Sequence, residues 1–288
     1  MGNYRDLDEV INNSSNIRIL IIDNNNLEFC SQHEDQFPGD KIFKNYEVIL
    51  VPDWVHAEIS HSEKRLNYLA GINVPYFVMS EEEDYTELVE YQELRLMKLF
   101  EHASSSISKA RKYFSGLKKY YSQNDDLPEG WISQFYDLGF EIKTTKAKLE
   151  GEAETTELRK NAGETSILVL TYLLLHHYHT KIKQITIFSS DKGTLTIIQN
   201  IMQHLHKIEL IHNPLTSISF KSTDILLIEA YKDGRITLED VKRIRTNKKS
   251  VIYTYQLYDS SSSRHEHVLD TDEFIRILGD IENYHFEF

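Results

Sequence analysis

Apolar residues gather along this chain in short blocks of strand length. Between the blocks they recur every three or four positions. Ile17-Arg18-Ile19-Leu20-Ile21-Ile22 is the first block, and it ends on Asp23, Asn24, Asn25 and Asn26. An apolar, β-branched run bounded by polar residues reads as a buried strand. Tyr46–Val51, Pro75–Met79, Gln184–Ser189 and Ser217–Phe220 repeat the pattern. The segments between them read as helices. One runs from Trp54 to Ala70, with Asp53 as its N-cap and Gly71 as its stop. A long one follows Ser80, with Glu81, Glu82, Glu83 and Asp84 in a first turn that favours acids. Others cover Ile107–Tyr121, Thr165–His177 and Thr194–Leu205. Strands alternating with helices predict an α/β fold with a central, mostly parallel sheet flanked by helices.

Three segments stand apart from this alternation. Residues 1–16 are polar and read as an N-terminal arm. Residues 81–160 read as a helical insertion, with a loop at Asn124–Gly130 and a charged, apolar-poor stretch at Lys143–Lys160. Residues 222–288 read as a C-terminal α/β appendage. In it, Thr223-Asp224 opens a short helix and Thr237–Asp240 resembles a capping box. Val251–Tyr258 alternates as a strand that pairs back with His267-Val268-Leu269, and a last helix starts at Thr271. The core is thus expected in 1–80 and 161–221.

Composition narrows the class. The chain has 288 residues, 40% hydrophobic and 27% charged, as in an ordinary globular protein. No apolar run is long enough for a membrane span, and Met1 to Asp6 lack the features of a signal peptide. Cys30 is the single cysteine, so no intrachain disulfide forms and a reducing, cytoplasmic setting is expected. A net charge of −13 argues against broad attraction to nucleic acid but allows a local basic track. It also allows a cluster of acids that awaits a metal ion.

Four acids sit at informative places. Asp23 ends the first strand, Glu58 lies early in the helix after the second, Glu164 opens the most apolar helix, and Asp191 follows the fourth strand. Taken singly, each has an ordinary reading as a helix cap or a first-turn acid. Taken together, they would converge at the carboxyl edge of a parallel sheet, where such folds bind ligands. Whether Glu164 reaches that edge depends on topology. Converging carboxylates suit Mg²⁺ or Mn²⁺, which can activate water beside a phosphoryl group.

The segments Ile21-Ile22-Asp23-Asn24-Asn25, Val51–Ile59, Gly163-Glu164-Thr165-Ser166 and Phe188-Ser189-Ser190-Asp191, in this order, resemble the motifs of the PIN-domain nucleases. The resemblance covers roughly residues 16–80 and 160–220. It implies a PIN-like fold and a metal-dependent endoribonuclease that cuts phosphodiesters by water attack. It implies Asp23, Glu58, Glu164 and Asp191 as metal-site acids, Asn25 as a supporting residue, and hydroxyls at Ser189 and Ser190. Glu164 stands where many members have Asp, and the segments 81–160 and 222–288 exceed the compact family core.

A weaker signal is the basic run Lys242, Arg243, Arg245, Lys248 and Lys249 beside Tyr253, Tyr255 and Tyr258, a candidate nucleic-acid track. Its ordinary reading is a solvated helix end. Lys109, Arg111, Lys112, Lys118 and Lys119 form a second run of the same kind. A calcium loop at Glu229–Asp240 is rejected, because Tyr231 occupies a ligand position. The expected partner is RNA, with DNA also open, and the extra segments offer a protein docking surface or an oligomer contact. Two further readings stand beside the enzyme: a catalytically inactive scaffold on the same fold, and a toxin or antiviral effector held by a larger assembly.

Overall fold

The computed structural model describes residues 3–149, 152–190, 207, 210, 217–245, 249–256 and 262–287. Its centre is a five-stranded, all-parallel sheet of β1 (Ile17–Ile22), β2 (Val48–Pro52), β3 (Tyr76–Met79), β6 (Ile182–Phe188) and β7 (Ser217–Phe220), in the order β3-β2-β1-β6-β7. The fold is α/β, as the alternation predicts. β1 is central, with Ile21 aligned to Leu50 on one side and to Ile187 on the other. Ile19, Leu20, Ile21 and Ile22 are fully buried. Each such side chain stabilises the fold by about 1.5–3 kcal/mol relative to exposure. The chain builds outward from β1 to β2 and β3, then returns to the other side of β1. The strand order therefore reverses between β1 and β6.

The helices differ from the sequence reading where local chemistry interrupts them. The polar arm is a helix, α1 (Tyr4–Asn12), which buries Leu7 and Ile11. The polar stretch after β1 begins with α2 (Asn24–Gln32), followed by the short α3 (Gly39–Ile42). The helix expected over Trp54–Ala70 is two, α4 (Asp53–Ile59) and α5 (Glu63–Ala70). Between them Ser60 Oγ donates to His56 O (2.8 Å) and Ser62 is extended, a local alternative to helix continuation. Asp53 is the first residue of α4 rather than its cap. The long helix after Ser80 is also broken, into α6 (Asp84–Leu88) and α7 (Glu93–Ala103), by left-handed backbone at Glu90 and Tyr91.

The insertion is not purely helical. After α8 (Ser108–Asn124) and α9 (Trp131–Leu138), the stretch read as charged and apolar-poor forms an antiparallel pair, β4 (Glu141–Leu149) with β5 (Glu152–Lys160). Aromatics tie the insertion to the sheet domain. Trp54 of α4 meets Phe100, Phe135, Tyr136 and Phe140, with ring centroids 5.0–6.0 Å apart. α10 (Ala162–His177) then leads into β6, and 13 of its residues are buried.

The appendage holds α11 (Thr223–Lys232), α12 (Leu238–Ile244) and α13 (Thr271–Gly279), with the sheet β10-β8-β9. β8 (Lys249–Gln256) and β9 (Ser262–Leu269) pair as the sequence predicts; β10 (Tyr284–Glu287) is additional. The capping box at Thr237 and Asp240 is formed. No helix among the described residues is long and apolar enough to cross a membrane.

Candidate functional site

The strand order reverses between β1 and β6, and the carboxyl edge at such a reversal is the ligand position of open α/β folds. Asp23 ends β1 there and is 5% exposed. It occupies the N-cap position of α2, yet its side chain makes no capping hydrogen bond. The carboxylate instead accepts from Ser189 Oγ (2.8 Å), at the end of the neighbouring β6.

Glu58 and Glu164 approach from two helices. α10 runs back toward the start of β6, so its N-terminus lies at the carboxyl edge, and Glu164 is in its first turn. A Cβ on Gly163 would lie 3.1 Å from Val55 Cγ2 and 3.5 Å from Glu58 Oε1. The bare glycine thus lets α10 meet α4 beside Glu58. Asn24 Nδ2 donates to Glu58 Oε2 (3.3 Å), and Arg65 Nη1 donates to Asn24 Oδ1 (2.6 Å). Burial, then the negative charges of Glu164 and Asp23, push the Glu58 carboxyl up to about 7; the Asn24 hydrogen bond and Arg65 oppose them. Shifts of this kind mark crowded acids in functional crevices.

The structure thus brings Asp23, Glu58, Glu164 and Ser189 to one edge. Asp191 lies outside the described residues. Asn25 is exposed, between the buried Asn24 and Asn26. Asn24 holds Glu58, while Asn26 Nδ2 donates to Lys221 O (2.7 Å) and Asn26 Oδ1 accepts from Ser190 Oγ (2.7 Å). Ser190 also accepts from Thr223 N (3.0 Å), so it joins the sheet edge to the appendage.

Carboxylates are the donor type that a hard divalent cation takes. Among the described residues, however, no group of three or more His, Cys, Asp or Glu side chains is placed so that it could hold a metal ion.

The basic run does not behave as one surface. Lys242 and Arg243 are exposed, and Arg243 pairs with Asp240 at 2.7 Å. Arg245, read as part of a solvated track, is 2% exposed. Its Nε and Nη2 meet Asp224 at 2.9 and 3.1 Å, Nη2 donates to Leu269 O (3.0 Å), and its guanidinium lies 4.3 Å from the Phe274 ring centre. Lys248 lies outside the described residues, and Lys249 is in β8.

One acid beside the site went unrecognised. Glu81, expected on a solvated first turn, is 2% exposed. It accepts from Ser166 Oγ (2.5 Å) and Trp54 N (3.2 Å), joining the end of β3 to α10 and α4. Its place two residues after β3, close to a strand end as Asp23 is one residue after β1, was the available signal. Burial above all, with Asp53 adding to it, pushes its carboxyl up to about 8, against the Ser166 and Trp54 hydrogen bonds. The folded state therefore holds this proton more tightly than the unfolded chain does. Stability is lost as pH rises from the unfolded carboxyl value through about 8, by at most about 1.4 kcal/mol per pH unit. Glu81→Gln is expected to flatten that loss in thermal unfolding, with a gain over wild type that grows with pH. An equal gain at acid and alkaline pH would contradict the assignment.

No family model, curated protein or solved structure matches this chain.

Proposed function

We propose that this protein is a metal-dependent endonuclease that hydrolyses phosphodiester bonds, with RNA as its substrate. The observation that carries the reading is the meeting of Asp23, Glu58 and Glu164 at the β1–β6 reversal, where their charges act on one another. Isolated acids capping helices have no reason to do so. The choice of RNA rests on the resemblance of the motifs to those of the PIN-domain nucleases.

In this reading Asp23, Glu58, Glu164 and Asp191 hold Mg²⁺ or Mn²⁺. The ion, when bound, supplies an activated water and neutralises charge developing on the phosphoryl group. Ser189 fixes the Asp23 carboxylate through a hydrogen bond to Oδ2. Asn24 holds Glu58 through a hydrogen bond to Oε2, and Glu58 must lose its proton before it can bind the ion.

A labelled single-stranded RNA incubated with the full chain tests the proposal. Internal cleavage is expected with Mn²⁺ and none with excess chelator. Intact RNA under both conditions would favour the second reading, a non-catalytic binding protein. That reading draws support from the lack of a complete metal group among the described residues.

A further inference from the structure

A cavity of 420 Å³ lies between the sheet edge and the appendage. Asn25, Asn26, His33, Ser190, Arg243 and Arg245 are among its lining residues. Two of its walls adjoin the candidate site directly. Asn25 and Asn26 follow Asp23 in the chain, and Ser190 follows the Ser189 that bonds to it.

The cavity is polar, and one of its arginines is incompletely used. Arg245 is buried, and three contacts satisfy its Nε and Nη2, but its Nη1 has no hydrogen-bond partner. A buried guanidinium donor without an acceptor is uncommon and costly. Arg243 supplies a second guanidinium from the exposed end of α12. The field there is felt by His33, which burial and the charges of Lys64 and Arg243 hold below the usual imidazole range. The opposing charge on the lining is Glu28, which faces Arg65 at 3.8 Å. Arginines combined with amide and hydroxyl groups suit a phosphate group, which offers several strong acceptors at once.

We propose that this cavity binds a backbone phosphate of single-stranded nucleic acid, next to the bond presented to the acids. Arg243 and Asn25 contact the phosphate, and Arg245 Nη1 donates to one of its oxygens. The assignment rests on the nuclease reading for its substrate class. It gives the appendage a role, since the end of α12 and the residue after it carry the two arginines to the sheet edge.

The test is binding of a short fluorescent oligoribonucleotide to the full chain in excess chelator, followed by anisotropy at several salt concentrations. Arg243→Ala is expected to weaken binding about tenfold and to lower the slope of log affinity against log salt by about one. Asn25→Ala weakens binding without changing that slope, and Lys183→Ala, exposed at the amino end of β6, changes neither. Arg243 is exposed, so thermal unfolding of its variant should match wild type. Equal binding by wild type, Arg243→Ala and Asn25→Ala would overturn the proposal. So would saturation by inorganic phosphate with no oligonucleotide binding, which would mark a site for a free anion. Binding that depends on Arg243 without metal-dependent cleavage would refute the nuclease reading and leave this phosphate site standing.

Discussion

Asp23→Asn is expected to abolish metal-dependent cleavage while leaving the fold intact. The substitution keeps the shape and one carbonyl oxygen, so Ser189 Oγ retains an acceptor at the end of β1. What disappears is a negative charge at the carboxyl edge of the sheet. Loss of groups that merely support a metal ligand typically costs 10- to 100-fold, so under the proposed function removal of the Asp23 charge should cost at least about a hundredfold in rate. The effect on stability has the opposite sign. Asp23 is one of the two acids whose charge pushes Glu58 up. Its neutralisation relieves repulsion in the ion-free protein, and the thermal midpoint should stay level or rise. A trade of stability for activity is common at functional sites. Unchanged cleavage by the variant would remove Asp23 from the mechanism.

Arg245→Ala is expected to produce the largest loss of stability, about 3–5 kcal/mol. The side chains of Arg245 and Asp224 are 0% and 1% exposed. Removing the arginine leaves a carboxylate buried with its charge uncompensated, and also takes away a donor to Leu269 O and the packing on Phe274. A loss of this size is a large fraction of the net stability of a typical protein, and in a chain of 288 residues corresponds to a fall of about 5–8 °C in the unfolding midpoint. The double variant Asp224→Leu/Arg245→Met should recover most of it, because a buried pair replaced by apolar groups of similar volume is often neutral. A double variant no more stable than Arg245→Ala would show that the ion pair is not what the position needs.

β1, β2 and β6 were legible because each is a short, mostly apolar block rich in β-branched residues. Asp23 was legible for the same reason, as the polar residue that ends such a block. The helix breaks after Ile59 and Leu88 were not, because they depend on a serine back-bonding to its own helix and on two left-handed residues, neither of which disturbs the apolar period. The run Asn24-Asn25-Asn26 does not show in sequence which of the three turns inward. α2 begins immediately after Asp23, and its turn carries Asn24 toward Glu58 and leaves Asn25 exposed. The paired strands of the insertion escaped notice because Thr144, Thr145, Thr155 and Thr156 supply β propensity while charges dominate the composition. Glu81 and Arg245 look like surface residues in sequence; only the partners that tertiary structure brings, Ser166 and Asp224, let them be buried. Helix α1 was in fact visible, since Leu7, Val10 and Ile11 keep helical spacing within a polar segment.

Calorimetric titration of the full chain with Mn²⁺ tests the central claim most directly, because it asks whether these acids form one cation site, independent of any substrate. Glu58 is held near 7 and must lose its proton to act as a ligand. Binding should therefore release protons and tighten as pH rises from about 6 to about 8, and it should vanish in Asp23→Asn. Absence of Mn²⁺ binding at millimolar metal, or binding unaffected by both pH and Asp23→Asn, would contradict the account.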